Sequence, residues 1–313
     1  MNTLAVVLEA PAQLALSRIE LPQPLASDVV VDVEWSGIST GTERLLWDGR
    51  MPHFPGMGYP LVPGYESVGR VTQAGDDAAD LLGARVFVPG ARCFGAVRGL
   101  FGGAASRVVV PGAKVVPVGD VLAEEAVLLA LAATAQHALA AHGARMPDLI
   151  VGHGVLGRLL ARLALCAGAP PPTVWETNAT RREGADGYSV IDPADDARKD
   201  YHSIYDVSGD PKLLDTLISR LATGGEVVLA GFYAVPLSFS FPPAFMREAR
   251  IRIAAEWAAP DIAHVREAVA AGRLSLDGLI THRRPAMDAE SAYRVAFGDP
   301  ACLKMILDWR GCA

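Results

Sequence analysis

Asp148-Leu149-Ile150-Val151-Gly152-His153-Gly154-Val155-Leu156-Gly157-Arg158-Leu159-Leu160-Ala161 is the stretch that decides the fold. A short apolar strand runs into a Gly-x-Gly-x-x-Gly turn, and an Ala/Leu-rich helix follows. Gly152 permits the tight turn, Gly154 lets a pyrophosphate approach the backbone, and Gly157 lets the helix pack closely on the strand. Exposed N–H groups at the helix start, with the helix dipole behind them, favour phosphate. His153, Val155 and Leu156 complete the candidate cofactor contacts of the turn. Working outward, Pro172-Thr173-Val174-Trp175-Glu176 reads as the next strand of a βαβ unit, with an acid 19 residues after Gly157. A carboxylate there accepts hydrogen bonds from the adenosine ribose hydroxyls and repels a 2′-phosphate, so Glu176 points to NAD. Arg181 and Arg182 could instead bind the 2′-phosphate of NADP, or simply be surface arginines.

Upstream and downstream the texture differs. Residues 29–35, 67–71, 84–88 and 107–110 are β-branched runs separated by Pro-Gly and Gly-Asp turn signals, and residues 29–35 alternate like a half-buried strand. A barrel-like β unit is expected over residues 1–120. From Val121 helices and strands alternate. Residues 124–139 and 212–221 read as helices, and residues 188–191, 203–207, 226–229 (ending at Gly231) and 251–255 as strands. That rhythm predicts a doubly wound parallel sheet over residues 121–260, with Gly231 a further cofactor contact. Residues 261–313 carry two helical patterns around a strand at Ile280-Thr281-His282.

A chain of 313 residues with 51% hydrophobic residues has room for two domains and a large core. Its net charge of −7 and scattered basic residues argue against a nucleic-acid partner. No apolar run is long enough to cross a bilayer, and the N-terminus reads as a first strand rather than a leader. Cytoplasmic residence is expected, with peripheral membrane association and a homo-oligomer left open. The four cysteines form no C-x-x-C pair, so neither a zinc knuckle nor a disulfide framework is indicated.

The order of a β-rich front, a central Rossmann unit and a short C-terminal return resembles the medium-chain dehydrogenase/reductase superfamily over nearly the whole chain. The resemblance rests on Gly37-Ile38-Ser39-Thr40-Gly41-Thr42-Glu43, on Val62-Pro63-Gly64-Tyr65-Glu66-Ser67-Val68-Gly69, on Gly102-Gly103-Ala104-Ala105-Ser106, on Thr134-Ala135-Gln136-His137, and on Asp206-Val207-Ser208-Gly209. It implies an α/β protein with a GroES-like catalytic domain, a Rossmann domain, and an active site in the cleft between them. More narrowly, the Ser-Gly-Ile-Ser-Thr-Gly-Thr-Glu-Arg and Gly-Tyr-Glu-Ser signatures look like the 3-hydroxyethyl bacteriochlorophyllide a dehydrogenase family of bacteriochlorophyll biosynthesis. That family oxidises the ring-A 1-hydroxyethyl group of a tetrapyrrole to acetyl with NAD.

Departures from the superfamily matter as much. Zinc-dependent members carry a cysteine where Ser39 or Thr40 stands and a histidine where Tyr65 stands. Neutral hydroxyls are poor replacements around zinc, so no protein-bound metal is expected. Side chains must then manage the alcohol proton. Tyr65 is the first candidate, as base or oxygen-polarising partner, although its phenol would need a lowered pKa to act as a base near neutrality. Packing against the substrate is the plainer role. Ser39, Thr40 and Thr42 could relay a proton or orient the substrate oxygen. Glu66 could be a base or a structural partner of a cation, and His137 a titrating group or a hydrogen-bonded helix residue. Trp47, His53, Phe54, Met57 and Tyr59, in and before a Pro/Gly-rich loop, could offer a flat tetrapyrrole an apolar surface, or pack the small domain. Arg107 is one of three arginines that could meet a propionate. Two other functions stay open: a zinc-free NAD(P)H-dependent quinone or enone reductase, which Glu176 counts against, and a non-catalytic nucleotide sensor.

Overall fold

A computed structural model describes residues 1–120 and 122–312, so the break expected at Val121 lies outside the described residues. The chain divides into two compact units, Met1–Ala130 with Leu279–Ala313, and Leu131–Gly278. The sequence reading put the C-terminal return at residue 261. The helix Ala259–Ala270 belongs instead to the second unit, and the return starts at Leu279.

In the first unit the eleven-residue strand Asp28–Ile38 organises a seven-stranded sheet. It pairs antiparallel with Ser67–Ala74, with Arg107–Pro111 and, near its end, with Met305–Asp308. The expected alternation holds from Val31 to Trp35 and fails only at the strand's start. Val29, Val30 and Val31 are all fully buried, so both faces of the sheet are covered at that point. A second sheet holds Asn2–Ala10, Gln13–Glu20, Leu61–Val62 and Arg98–Gly99. The strand expected at residues 280–282 forms at His282–Pro285, where pairing with Met305–Asp308 begins.

The second unit is a six-stranded parallel sheet. Its strands lie in the order Ser189–Ile191, Thr173–Trp175, Leu149–Val151, Tyr201–Asp206, Leu221–Leu229, Arg250–Ile253. Numbered along the chain this is 3-2-1-4-5-6, whose direction reverses beside Leu149–Val151, the place where such sheets bind ligands at their carboxyl ends. Leu149, Val151, Ile204, Val227 and Leu229 fill the core on one face with Leu214, Leu217 and Ile218 of the helix Leu214–Arg220. The helix Val155–Cys166 buries Leu159, Leu160 and Leu163. Arg250–Ile253 stops short of the expected residue 255, as an edge strand with Ile253 exposed.

Candidate active site

The glycine turn sits at the reversal point of the second unit's sheet. Gly152 has φ +106°, which an L side chain rarely adopts. A Cβ on Gly157 would lie 1.9 Å from the Gly152 carbonyl oxygen, so the helix could not reach the strand with any side chain there. Gly154 differs: its φ is ordinary and an added Cβ would meet nothing within 4 Å. The space before Gly154 is therefore an open cradle, as a pyrophosphate needs. Gly231 approaches the main chain closely, with an added Cβ 3.2 Å from the Gly209 nitrogen. Val155 is buried and Leu156 half-buried in the first helical turn.

Glu176 ends the Thr173–Trp175 strand. Its Oε2 accepts from the His153 N–H at 3.1 Å and its Oε1 from the Asn178 N–H at 2.8 Å. Each oxygen keeps a lone pair for a ribose hydroxyl. Arg182 is committed elsewhere, donating to the Glu176 and Thr177 carbonyls and to Asp192. The His153 side chain turns inward. Its Nδ1 lies 2.6 Å from the Arg181 carbonyl oxygen and its Nε2 2.8 Å from the Tyr188 hydroxyl. Burial pushes the ring down to about 4, so it stays neutral and serves as a brace. Asp206, buried at the end of Tyr201–Asp206, accepts from Ser208 and from the Tyr233 hydroxyl at 2.8 Å.

His137 pairs with Asp261 at 2.8 Å within the second unit, while Asp261 also caps the helix Ala259–Ala270 by accepting from the Ala258 N–H. This is the hydrogen-bonded helix residue of the plainer reading.

Register builds the first unit's cluster. Met305 pairs with Ile38 and Ser67 with Ser36, so Lys304 and Glu66 arrive beside the strand end that leads to Ser39. Gly37 makes room, since a Cβ there would meet the Glu66 Oε2 at 2.2 Å. Lys304 and Glu66 are both buried and joined at 2.6 Å. The Glu66 Oε1 has no hydrogen-bond partner among the described residues. Burial pushes Glu66 up, and the ammonium pulls it part of the way back. The cation beside Glu66 is a lysine 238 residues away in the chain.

Ser39 Oγ and the Tyr65 hydroxyl lie 2.7 Å apart. Thr42 supplies a second hydrogen bond to the phenol, and its N–H approaches Ser39 Oγ at 3.4 Å. Thr40 is half-buried beside them. Burial, and then the nearby Glu66, push the Tyr65 phenol far above its ordinary value. That reverses the requirement for a neutral-pH base, and leaves the phenol a protonated hydrogen-bond donor.

The apolar surface is smaller than expected. Trp47 is buried against the rings of Tyr293 and Phe297, so it packs the unit. The Tyr59 hydroxyl donates back to the Leu46 carbonyl. His53 is exposed and Phe54 and Met57 are half-buried, and these three still present themselves. Arg107 is taken by both carboxylate oxygens of Asp32.

Zinc does not fit this donor set. The Ser39 and Tyr65 hydroxyls are bonded to each other, Thr40 would offer only another neutral hydroxyl, and Glu66 is bonded to an ammonium. Among the described residues no three His, Cys, Asp or Glu side chains converge on a point that could hold a metal ion.

Comparison with known proteins fits this geometry. Residues 26–120 match the alcohol dehydrogenase GroES-like domain family. A 2-desacetyl-2-hydroxyethyl bacteriochlorophyllide A dehydrogenase of Cereibacter sphaeroides is 58% identical over 318 residues, covering 100% of both chains. Its namesake from Rhodobacter capsulatus is 58% identical over 311 residues, covering 99% of each. The chain belongs to this dehydrogenase family. Its fold is that of the medium-chain dehydrogenases: a structure described as a short chain alcohol dehydrogenase from Escherichia coli, complexed with NADH, superposes with a TM-score of 0.83 at 22% identity, over 98% of this chain and 99% of that one.

In this bacteriochlorophyllide dehydrogenase family member, the sequence reading passed over three residues of the cluster. Glu43 is fully buried; its Oε1 accepts from the Ser39 N–H at 2.9 Å and its Oε2 from the Tyr293 hydroxyl at 2.6 Å. Burial pushes Glu43 up to about 7, against the pull of those two bonds. Glu43 stood in a quoted motif, but nothing local marks an acid as buried. Lys304 and Tyr293 come from the C-terminal return: the pairing of Met305 with Ile38 brings Lys304 beside Glu66, and the helix Ala289–Gly298 carries Tyr293 to Glu43.

Proposed function

We propose that this dehydrogenase oxidises the 3-(1-hydroxyethyl) group of a bacteriochlorophyllide to 3-acetyl with NAD and without zinc. Full-length identity of 58% to two dehydrogenases named for that substrate carries the reading. The open cradle before Gly154 suits a dinucleotide, and Glu176 favours NAD over NADP by offering two ribose acceptors and a repelling charge. Bound nicotinamide supplies the hydride acceptor. As hydride goes to the nicotinamide the alcohol must give up its hydroxyl proton, which the Ser39, Thr40 and Thr42 hydroxyls would relay to solvent while Tyr65 remains protonated. With Ser39 donating to the phenol oxygen, the Tyr65 proton is free to meet the substrate oxygen as negative charge develops there. Exposed His53 and half-buried Phe54 and Met57 are the apolar contacts proposed for the macrocycle. The enone-reductase alternative has less support, because Glu176 disfavours NADPH.

The experiment is an absorbance assay of purified protein with 3-(1-hydroxyethyl) bacteriochlorophyllide a and NAD or NADP, before and after exhaustive chelation. Turnover with NAD that survives chelation is expected. Activity restored only by zinc, or a preference for NADP, refutes the corresponding part. Tyr65→Phe should lower kcat on the order of 100-fold with little change in KM, because the ring is kept. Near-normal kcat would reduce Tyr65 to packing.

A further inference from the structure

Arg158 is an unusual residue to bury. It lies in the first turn of the helix Val155–Cys166, 5% exposed, and among the described residues no carboxylate pairs with it. Its guanidinium donates only to main-chain carbonyls: Nε to His153 at 3.1 Å, Nη1 to Gly184 at 3.0 Å, and Nη2 to Arg181 at 3.1 Å and Glu183 at 2.7 Å. A buried cation is costly unless it is compensated, and here these hydrogen bonds all go to main-chain carbonyls, with the Glu176 carboxylate adding attraction from a distance. What those bonds achieve is conformational. Three hydrogen bonds from this side chain hold the segment 181–184 and a fourth holds the His153 carbonyl, so one residue ties that segment to the glycine turn.

That segment follows Glu176 directly in the chain and folds back beside it, because Arg182 donates to the Glu176 carbonyl and Asn178 to the Glu176 carboxylate. The His153 ring adds a second tie, to the Arg181 carbonyl and the Tyr188 hydroxyl, and its neutrality keeps those bonds in place across the physiological range. Gly184, at φ +77°, leaves room for the guanidinium: a Cβ there would stand 2.6 Å from Nη1.

We propose that Arg158 is a positioning residue for the adenosine half of the dinucleotide. By hanging residues 181–184 from the glycine turn, it fixes the wall beside Glu176 and holds that carboxylate at the ribose. The proposal rests on the dinucleotide reading above. It goes further by assigning the selectivity of that site to a side chain that does not itself touch the ribose. Lysine keeps the charge and loses the fork, so Arg158→Lys separates geometry from electrostatics. Glutamine at the same position removes both.

The test is titration calorimetry of the wild type, Arg158→Lys and Arg158→Gln with NAD, NADP and ADP-ribose, alongside steady-state kinetics. Loss of several charge-assisted bonds to the wall should weaken ADP-ribose and NAD at least about tenfold in Arg158→Lys. The NAD-over-NADP ratio should fall with it. Turnover at saturating NAD and the KM for bacteriochlorophyllide should stay within about twofold. A folded Arg158→Lys whose ADP-ribose affinity and NAD/NADP ratio match the wild type overturns the proposal. So does a parallel loss of turnover and bacteriochlorophyllide KM, which would mark a general structural role. If Arg158→Gln does not fold, Arg158→Lys alone decides. A wild type that binds neither NAD nor ADP-ribose refutes the dinucleotide reading itself, and this proposal falls with it.

Discussion

Replacing Lys304 with methionine should destabilise the first unit by about 3–5 kcal/mol, the cost of leaving one member of a buried ion pair unpartnered. At 2.6 Å the attraction in the Lys304–Glu66 pair is on the order of 6 kcal/mol for an effective dielectric of about 20. Against it stands a desolvation penalty of several kcal/mol for each ion. The pair therefore adds little net stability. Its removal by halves is another matter, because the Glu66 Oε1 already lacks a partner and Oε2 would lose its own. Glu66 can escape in part by taking up a proton. Its folded pKa is already raised and would rise further without the ammonium, so the loss should grow as the pH climbs above the ordinary carboxylate range. Glu66→Leu combined with Lys304→Met removes both charges and should recover most of the loss. Urea unfolding followed by tryptophan fluorescence is a suitable assay, since Trp35, Trp47 and Trp309 all lie in this unit. A loss below about 1 kcal/mol for the single variant, or a double variant no better than the single, would refute the account of Glu66 as a charge held in place by Lys304.

The glycine turn offers a contrast within one motif. Gly154→Ala should leave stability within about 0.5 kcal/mol yet weaken NAD, because the methyl enters the open cradle; Gly157→Ala should cost about 1–3 kcal/mol, because its Cβ meets the Gly152 carbonyl oxygen at 1.9 Å. Equal unfolding midpoints for the two variants would contradict this. Glu43 gives a pH signature in stability. Its folded pKa of about 7 lies above the ordinary 4.5, so the folded state binds the extra proton and stability falls as pH rises between those values, by up to about 3 kcal/mol. In Glu43→Gln that contribution should vanish, and a difference between wild type and variant that does not change from pH 4.5 to 8 would be inconsistent with burial of an acid there.

The second unit was legible because its signals are local. The glycine spacing, the acid after the next strand and the alternation of helices and strands all depend on neighbours within about 30 residues, as βαβ units do. The first unit's cluster depends on contacts between elements distant in the chain, strand pairing for Lys304 and helix packing for Tyr293. Glu66 and Lys304 are 238 residues apart, and Tyr293 and Glu43 are 250 apart. No periodicity within either segment encodes that meeting. The sequence leaves Trp47 between two roles for a related reason: apolar residues near a Gly/Pro-rich loop have the same composition whether they face solvent or, as here, Tyr293 and Phe297.

The correction at Tyr65 changes the chemistry as well as the assignment. A phenol held protonated cannot take the alcohol's proton for long, but it can donate to an oxygen that gains negative charge, and such donors act most strongly where water is excluded. Ser39 decides which way that donor points. If Ser39 donates to the phenol oxygen, the phenol's single proton is left for the substrate; if Ser39 accepts, the proton is spent inside the protein. The Thr42 N–H approaches Ser39 Oγ at 3.4 Å and occupies part of its acceptor capacity. The proposed reaction needs the orientation in which Ser39 donates and the Thr42 hydroxyl does not take the phenol's proton. Ser39 and Tyr65 thus work as one hydrogen-bonding unit, joined at 2.7 Å beside the start of the helix Thr42–Trp47.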